Sequence, residues 1–120
     1  MEKFIKELTP KSMTKYRLSA SEFIDMHNDG EAVLVDIRMP FETVVWQLNF
    51  GLKIPANELP DNLDKLPKDK VIVLACPRAD RSAMVNAYLN SLGFDAKYLS
   101  DGMLDLMDKL KGGMAKLINV

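Results

Sequence analysis

The stretch Val71-Ile72-Val73-Leu74-Ala75-Cys76-Pro77-Arg78-Ala79-Asp80-Arg81-Ser82 decides how this chain folds. Its first five residues form a short apolar run rich in β-branched side chains, which reads as a buried parallel strand. Ala83 to Leu92 reads as a helix, so the intervening loop joins the carboxyl end of a strand to the amino end of a helix. In open α/β sheets that junction is where ligands bind. Cys76, the only cysteine, stands at its start. Unpaired N–H groups and the positive end of the helix dipole favour a thiolate there, and favour an approaching anion. Cys76 is therefore a candidate nucleophile.

Working outward, strands and helices alternate. Val33 to Ile37 is a second strand that is apolar on both faces and is interrupted by Asp36, with Arg38 directly after it. Pro40 suits the first position of a short helix from Phe41 to about Trp46. Leu52 to Pro55 reads as a brief edge strand, and Pro60-Asp61 as the start of a small helix ending near Leu66-Pro67. Upstream, Tyr16-Arg17-Leu18 reads as a short strand. Ser19 and Glu22 have the spacing of a capping box that opens a helix carrying Ala20, Phe23, Ile24 and His27. Downstream, Gly93 caps the helix after Cys76, Ala96 to Leu99 forms another strand, and Ser100-Asp101-Gly102 opens a last helix whose Met103, Met107 and Leu110 share a face. The pattern predicts an α/β fold, a central parallel sheet of about five strands with helices on both faces. Residues 1–15 read as an arm, 16–112 as a single domain and 113–120 as a short apolar tail.

Composition excludes several classes of function. A length of 120 residues suits one domain. With 16 basic against 17 acidic residues and a net charge of −1, there is no nucleic-acid stripe. No apolar run approaches the roughly 20 residues that span a bilayer. A single cysteine forms no internal disulfide, and the first residues lack a secretory signal, so a reducing cytoplasm is the expected location. His27, the one histidine, has no partner cluster for a metal and reads as a helix-face residue. The eight methionines read as core filling.

The loop also carries a family signature. Cys76, Arg81 and Ser82 stand at the places of a Cys-x-x-Gly-x-Arg-Ser pattern, with Ala79 at the usual glycine. Val35-Asp36-Ile37-Arg38 with Pro40 and Glu42, then Ile54-Pro55, and finally Ser100-Asp101-Gly102-Met103 follow at matching spacings. On these motifs the chain resembles the single-domain rhodaneses, the sulfurtransferase family with a six-residue active-site loop.

The resemblance implies a persulfide mechanism with catalytic Cys76 and no cofactor or metal. The thiolate takes sulfur from thiosulfate, polysulfide or another sulfane donor and passes it to a thiophilic acceptor such as cyanide or a thiol. Pro77, Arg78, Ala79, Asp80, Arg81 and Ser82 would form the substrate cradle. Asp80 is expected to face outward, pair with an arginine or cap the helix. Asp36, Arg38 and Glu42 would support the site structurally as an ion-pair network. A second copy of the chain or a sulfur-acceptor protein are the macromolecular partners it leaves open.

Three departures from the family pattern bear on the loop. If its glycine position requires φ > 0, the Cβ of Ala79 is strained there. Pro77 removes one N–H donor, and Trp46-Gln47 replaces a common Gly-His pair. A catalytically silent rhodanese-like binding module is the main competing reading. Cysteine phosphatase chemistry wants five residues between Cys and Arg, where this loop has four between Cys76 and Arg81.

Overall fold

The computed structural model describes residues 1–120. Two short helices come first, α1 (Glu2–Lys6) and α2 (Pro10–Thr14), followed by β1 (Arg17–Leu18), α3 (Ala20–Asn28) and β2 (Ala32–Asp36). The chain continues through α4 (Pro40–Thr43), β3 (Leu52–Lys53), 3₁₀ turns over Ala56–Lys65 and β4 (Val71–Ala75). It ends with α5 (Asp80–Ser91), β5 (Ala96–Leu99), α6 (Gly102–Leu110) and 3₁₀ turns over Gly112–Leu117. The five strands form one all-parallel sheet in the order β1-β5-β4-β2-β3. The two most apolar strands, β2 and β4, pair from Ala32 beside Val71 to Asp36 beside Ala75. Buried on both faces, they form the centre that a continuous apolar run requires.

The pleat of β4 divides the core. Val73 and Ala75 pack with Phe23 and Ile24 of α3 and with Met103 and Leu106 of α6. Ile72, Leu74 and Cys76 point to the other face, against Leu89 of α5 and Leu59 and Leu66 from the 56–66 segment. Cys76 thus extends the period-two alternation one residue past the strand, on the face that α5 covers. The expected sheet with helices on both faces is present.

Local signals set the boundaries. Ser19 Oγ accepts from the Glu22 N–H and a Glu22 carboxylate oxygen accepts from the Ser19 N–H, both at 3.1 Å, the reciprocal box expected at the start of α3. Gly93 follows α5 at φ +92°. Other expectations need correction. Thr9-Pro10 stops α1 but also starts α2, since Thr9 exchanges capping hydrogen bonds with Ser12 and Pro10 takes the first helical position. Helix α4 ends at Thr43, short of Trp46, because the Trp46 carbonyl accepts from Arg38. The small helix starts at Ala56 and contains Pro60, as a run of 3₁₀ turns broken at Asn62. Helix α5 begins at Asp80, three residues before the predicted Ala83, so Arg81 and Ser82 lie in its first turn. In α6 the fully buried pair is Met103 and Leu106, while Met107 is exposed.

The carboxyl-terminal residues fold back onto α3. The Asn28 side chain donates to the Leu117 carbonyl and accepts from the Asn119 N–H, both at 2.8 Å, and His27 Nε2 lies 2.6 Å from the Asn119 carbonyl. Ile118 between them is buried with the α3 and α6 side chains.

Candidate active site

Two helices arrange the loop after β4 from opposite sides. The Met103 N–H donates to the Cys76 carbonyl at 2.9 Å and the Leu104 N–H donates to the Pro77 carbonyl at 3.3 Å. These otherwise unpaired donors at the start of α6 hold the loop carbonyls. They can do so because residue 102 is glycine, at φ +73° and packed against the loop backbone. A Cβ there would sit 2.1 Å from the Arg78 carbonyl oxygen and 2.3 Å from that of Pro77. With the loop carbonyls turned to α6, the N–H groups of Arg78, Ala79, Asp80, Arg81 and Ser82 donate to no protein acceptor. Five successive donors running into a helix amino terminus form an anion-binding nest.

Cys76 opens the loop that carries this nest and has no exposed surface. Its Sγ is 3.4 Å from Ser82 Oγ, which accepts from the thiol and itself donates to the Ala79 carbonyl at 3.1 Å. The second acceptor is Asp80, whose Oδ1 is 3.9 Å from Sγ. Asp80 was expected to face outward, pair with an arginine or cap α5. It is exposed, in line with the first of these, makes no capping hydrogen bond and no ion pair, and brings one carboxylate oxygen within 3.9 Å of the sulfur. Ala79 has φ −137° and ψ −13°, so the anticipated left-handed strain is absent. Pro77 contributes only a carbonyl.

The charged residues sort into two groups. Asp36 and Arg38 are buried together where β2 ends, beside the Ala75–Cys76 step. Arg38 donates from Nε and Nη2 to the Asp36 carboxylate at 2.9–3.1 Å, and from Nη2 to the Trp46 carbonyl at 3.0 Å. Its guanidinium also stacks 3.9 Å from the centre of the Trp46 ring. Nε and Nη2 are thus engaged within the protein, and the pair anchors the segment after α4.

Glu42 does not join that network. It reaches across to α5 and takes Arg81 in a two-point ion pair, with N···O distances of 2.7 and 2.9 Å. The hydrogen bonds from Arg81 hold the Glu42 carboxyl down to about 2. Reciprocally, Glu42 raises the Arg81 guanidinium above its ordinary value, with smaller contributions from Cys76 and Asp80. Arg78 is exposed and has no ionic partner. The sequence motifs hold both Glu42 and Arg81, but nothing in their spacing says that they pair; that contact exists only once α4 and α5 are brought together by the sheet.

A buried thiol at a strand end, opening a loop of free N–H groups, is a layout for nucleophilic attack on a small anionic group. Comparison with known proteins agrees with that class. Residues 19–109 match the profile of the Rhodanese-like domain family. The chain belongs to the rhodanese-like domain family. A sulfurtransferase from Allochromatium vinosum is 33% identical over 64 residues, covering 53% of this chain and 60% of that protein. A tRNA uridine(34) hydroxylase from Erwinia tasmaniensis is 35% identical over 91 residues, 71% of this chain but 26% of the hydroxylase. The chain thus spans about a quarter of that larger enzyme. Among solved structures, a rhodanese-like domain protein from Staphylococcus aureus superposes with a TM-score of 0.69 at 27% identity, covering 75% of this chain and 89% of that one. No helix is long and apolar enough to cross a membrane.

Proposed function

We propose that this protein is a sulfurtransferase or sulfur carrier that works through a Cys76 persulfide, in keeping with a reducing cytoplasmic setting for its lone thiol. The observation that carries the reading is the position of buried Cys76 at the end of β4, opening the loop whose residues 78–82 leave five N–H groups free. The Cys76 thiolate attacks the sulfane sulfur of a donor, the donor's S–S bond breaks, and its remaining sulfur leaves with the bonding pair. Attack by a cyanide or thiol acceptor on the outer sulfur then releases Cys76 as thiolate. No electron source is needed, because the sulfur keeps its oxidation state throughout.

The nest stabilises the negative charge on the bound sulfur, and Ser82 positions Sγ from one side. Arg78 is the free cation available to an incoming anionic donor. Arg81 contributes a charge already balanced by Glu42, so its main role is to fix the first turn of α5. Asp36 and Arg38 hold the strand end and the Trp46 segment and touch no substrate.

The decisive test treats reduced protein with polysulfide, removes the excess, and weighs the chain intact. A gain of one sulfur atom that is absent in Cys76→Ser, and is released as thiocyanate by cyanide, supports the reading. Equal uptake by Cys76→Ser overturns it.

A second reading, a rhodanese-like module that binds a partner without chemistry, draws on one observation: Cys76 is 0% exposed. Native-state alkylation separates the two. A catalytic Cys76 reacts with iodoacetamide in the folded protein and is protected by prior sulfur loading, whereas an inert one reacts only after unfolding.

A further inference from the structure

The geometry points to Asp80 as the residue that sets donor preference, selecting persulfides with an uncharged organic chain over the thiosulfate dianion. This rests on the sulfur-carrier reading above. The groups around Sγ do not form a strongly positive site. The Asp80 carboxylate is 3.9 Å away, and no ion pair neutralises it. Arg81, the cation nearest in sequence, is held at two points by Glu42. Arg78 and Asp80 are both exposed, so solvent and salt screen both charges, but of the two only Asp80 makes a contact with Sγ. The remaining attraction for an anion comes from the backbone nest, which offers partial charges only. Such a balance accepts one negative charge on sulfur and resists a second, since repulsion from Asp80 grows in proportion to the donor's charge.

The surroundings fit an organic chain. Phe41, Val44 and Val45, on the segment that carries Glu42, are 73, 80 and 77% exposed, and Met84, one turn beyond Arg81, is 76% exposed. Large apolar side chains left in solvent beside the Glu42–Arg81 pair provide contacts for an alkyl group that a sulfonate would not use.

In a persulfide donor R–S–SH the transferable sulfur is the terminal one. The Cys76 thiolate attacks the terminal sulfur, the donor's S–S bond breaks, and R–S⁻ leaves with the bonding pair, giving Cys76–S–SH. With thiosulfate the leaving group is sulfite, which carries two negative charges past Asp80.

The test follows loading of Cys76 by intact mass over time with freshly prepared 2-hydroxyethyl persulfide and with thiosulfate, in the wild type and in Asp80→Asn and Asp80→Glu. The native protein is expected to load from the persulfide at least about tenfold faster, and Asp80→Asn to narrow that ratio about fivefold or more by speeding the thiosulfate reaction. Asp80→Glu, which retains the charge, keeps the native preference. A ratio unchanged in Asp80→Asn, or thiosulfate as the faster donor in the native chain, overturns the assignment while leaving the persulfide mechanism standing. Failure of both donors to load native Cys76 removes the sulfur-carrier reading and the selectivity with it.

Discussion

Glu42 and Arg81 face each other across the α4–α5 boundary as a two-point ion pair, at 2.7 and 2.9 Å. The pair joins the segment after β2 to the first turn behind Cys76, so the two central strands are tied at the end where the nest forms. Its side chains are 18 and 37% exposed, which makes it partly screened rather than buried. Glu42→Gln is therefore expected to cost about 1 kcal/mol or less at pH 7. The effect on the site should be larger than on stability, because a freed Arg81 no longer fixes the nest. Urea unfolding measures the first, and the rate of Cys76 persulfide formation measures the second.

The same pair has a pH signature. Glu42 titrates at about 2 in the folded protein, below its ordinary value of 4.5. A depressed folded value means that the unfolded chain binds the proton first as pH falls. The stabilisation is complete above 4.5, erodes as pH drops from there to about 2, and is gone below. Urea midpoints across that window should fall less steeply in Glu42→Gln than in the native protein. Equal slopes would show that the carboxylate's interaction is as strong in the unfolded chain.

The Asp36–Arg38 pair behaves differently because it is dry, with the two residues 3 and 2% exposed. Removing one member strands the other's charge, so Asp36→Ala and Arg38→Ala should each destabilise by about 3–5 kcal/mol. Replacing both with apolar residues of similar size, Asp36→Leu with Arg38→Met, should recover much of that loss. Trp46 is the chain's only tryptophan and stacks on Arg38. A red shift of native-state emission in Arg38→Ala therefore reports release of this segment before global unfolding.

How far these features could be read from sequence depended on whether they are local or tertiary. The sheet was legible because β2 and β4 are continuous apolar runs separated by helix-length segments, and the α3 capping box because Ser19 and Glu22 are three residues apart. Cys76 was legible from its place at a strand end. The bond between Glu42 and Arg81 was not, since it joins residues 39 apart in sequence. The start of α5 was misplaced because Asp80, Arg81 and Ser82 carry turn-like chemistry, and only the packed helix recruits them into its first turn. The approach of an Asp80 carboxylate oxygen to Sγ had no local signal at all. Attachment of the tail was equally hidden, depending on Asn28 and His27 meeting Leu117 and Asn119 from 89 to 92 residues away.

That attachment is testable on its own. Ile118 is buried under α3 and α6, so Ile118→Ala should cost about 2 kcal/mol through lost apolar burial. Asn28→Ala, which removes two hydrogen bonds to the tail, should cost about 1 kcal/mol. Neither residue contacts the Cys76 loop, so sulfur loading at a temperature where the variant is folded should match the native rate. Hydrogen exchange should show the amides of residues 117–119 losing protection while those of β4 keep theirs.

Gly102 puts the coupling between packing and chemistry to its sharpest test. It combines a left-handed φ of +73° with contact against the Pro77 and Arg78 backbone, so Gly102→Ala meets two penalties at once. The conformational strain alone is about 1–3 kcal/mol. The Cβ overlap at 2.1 and 2.3 Å is with backbone carbonyl oxygens, which cannot swing aside as a side chain does. Relief must come from separating α6 from the loop, which breaks the bonds from Met103 and Leu104 to the Cys76 and Pro77 carbonyls. Those bonds hold the loop from which the free N–H groups of residues 78–82 project. Gly102→Ala is therefore expected to lower stability by about 3 kcal/mol and also to slow Cys76 loading in the fraction that remains folded. A variant that loses stability yet loads sulfur at the native rate would show that the nest keeps its shape without α6.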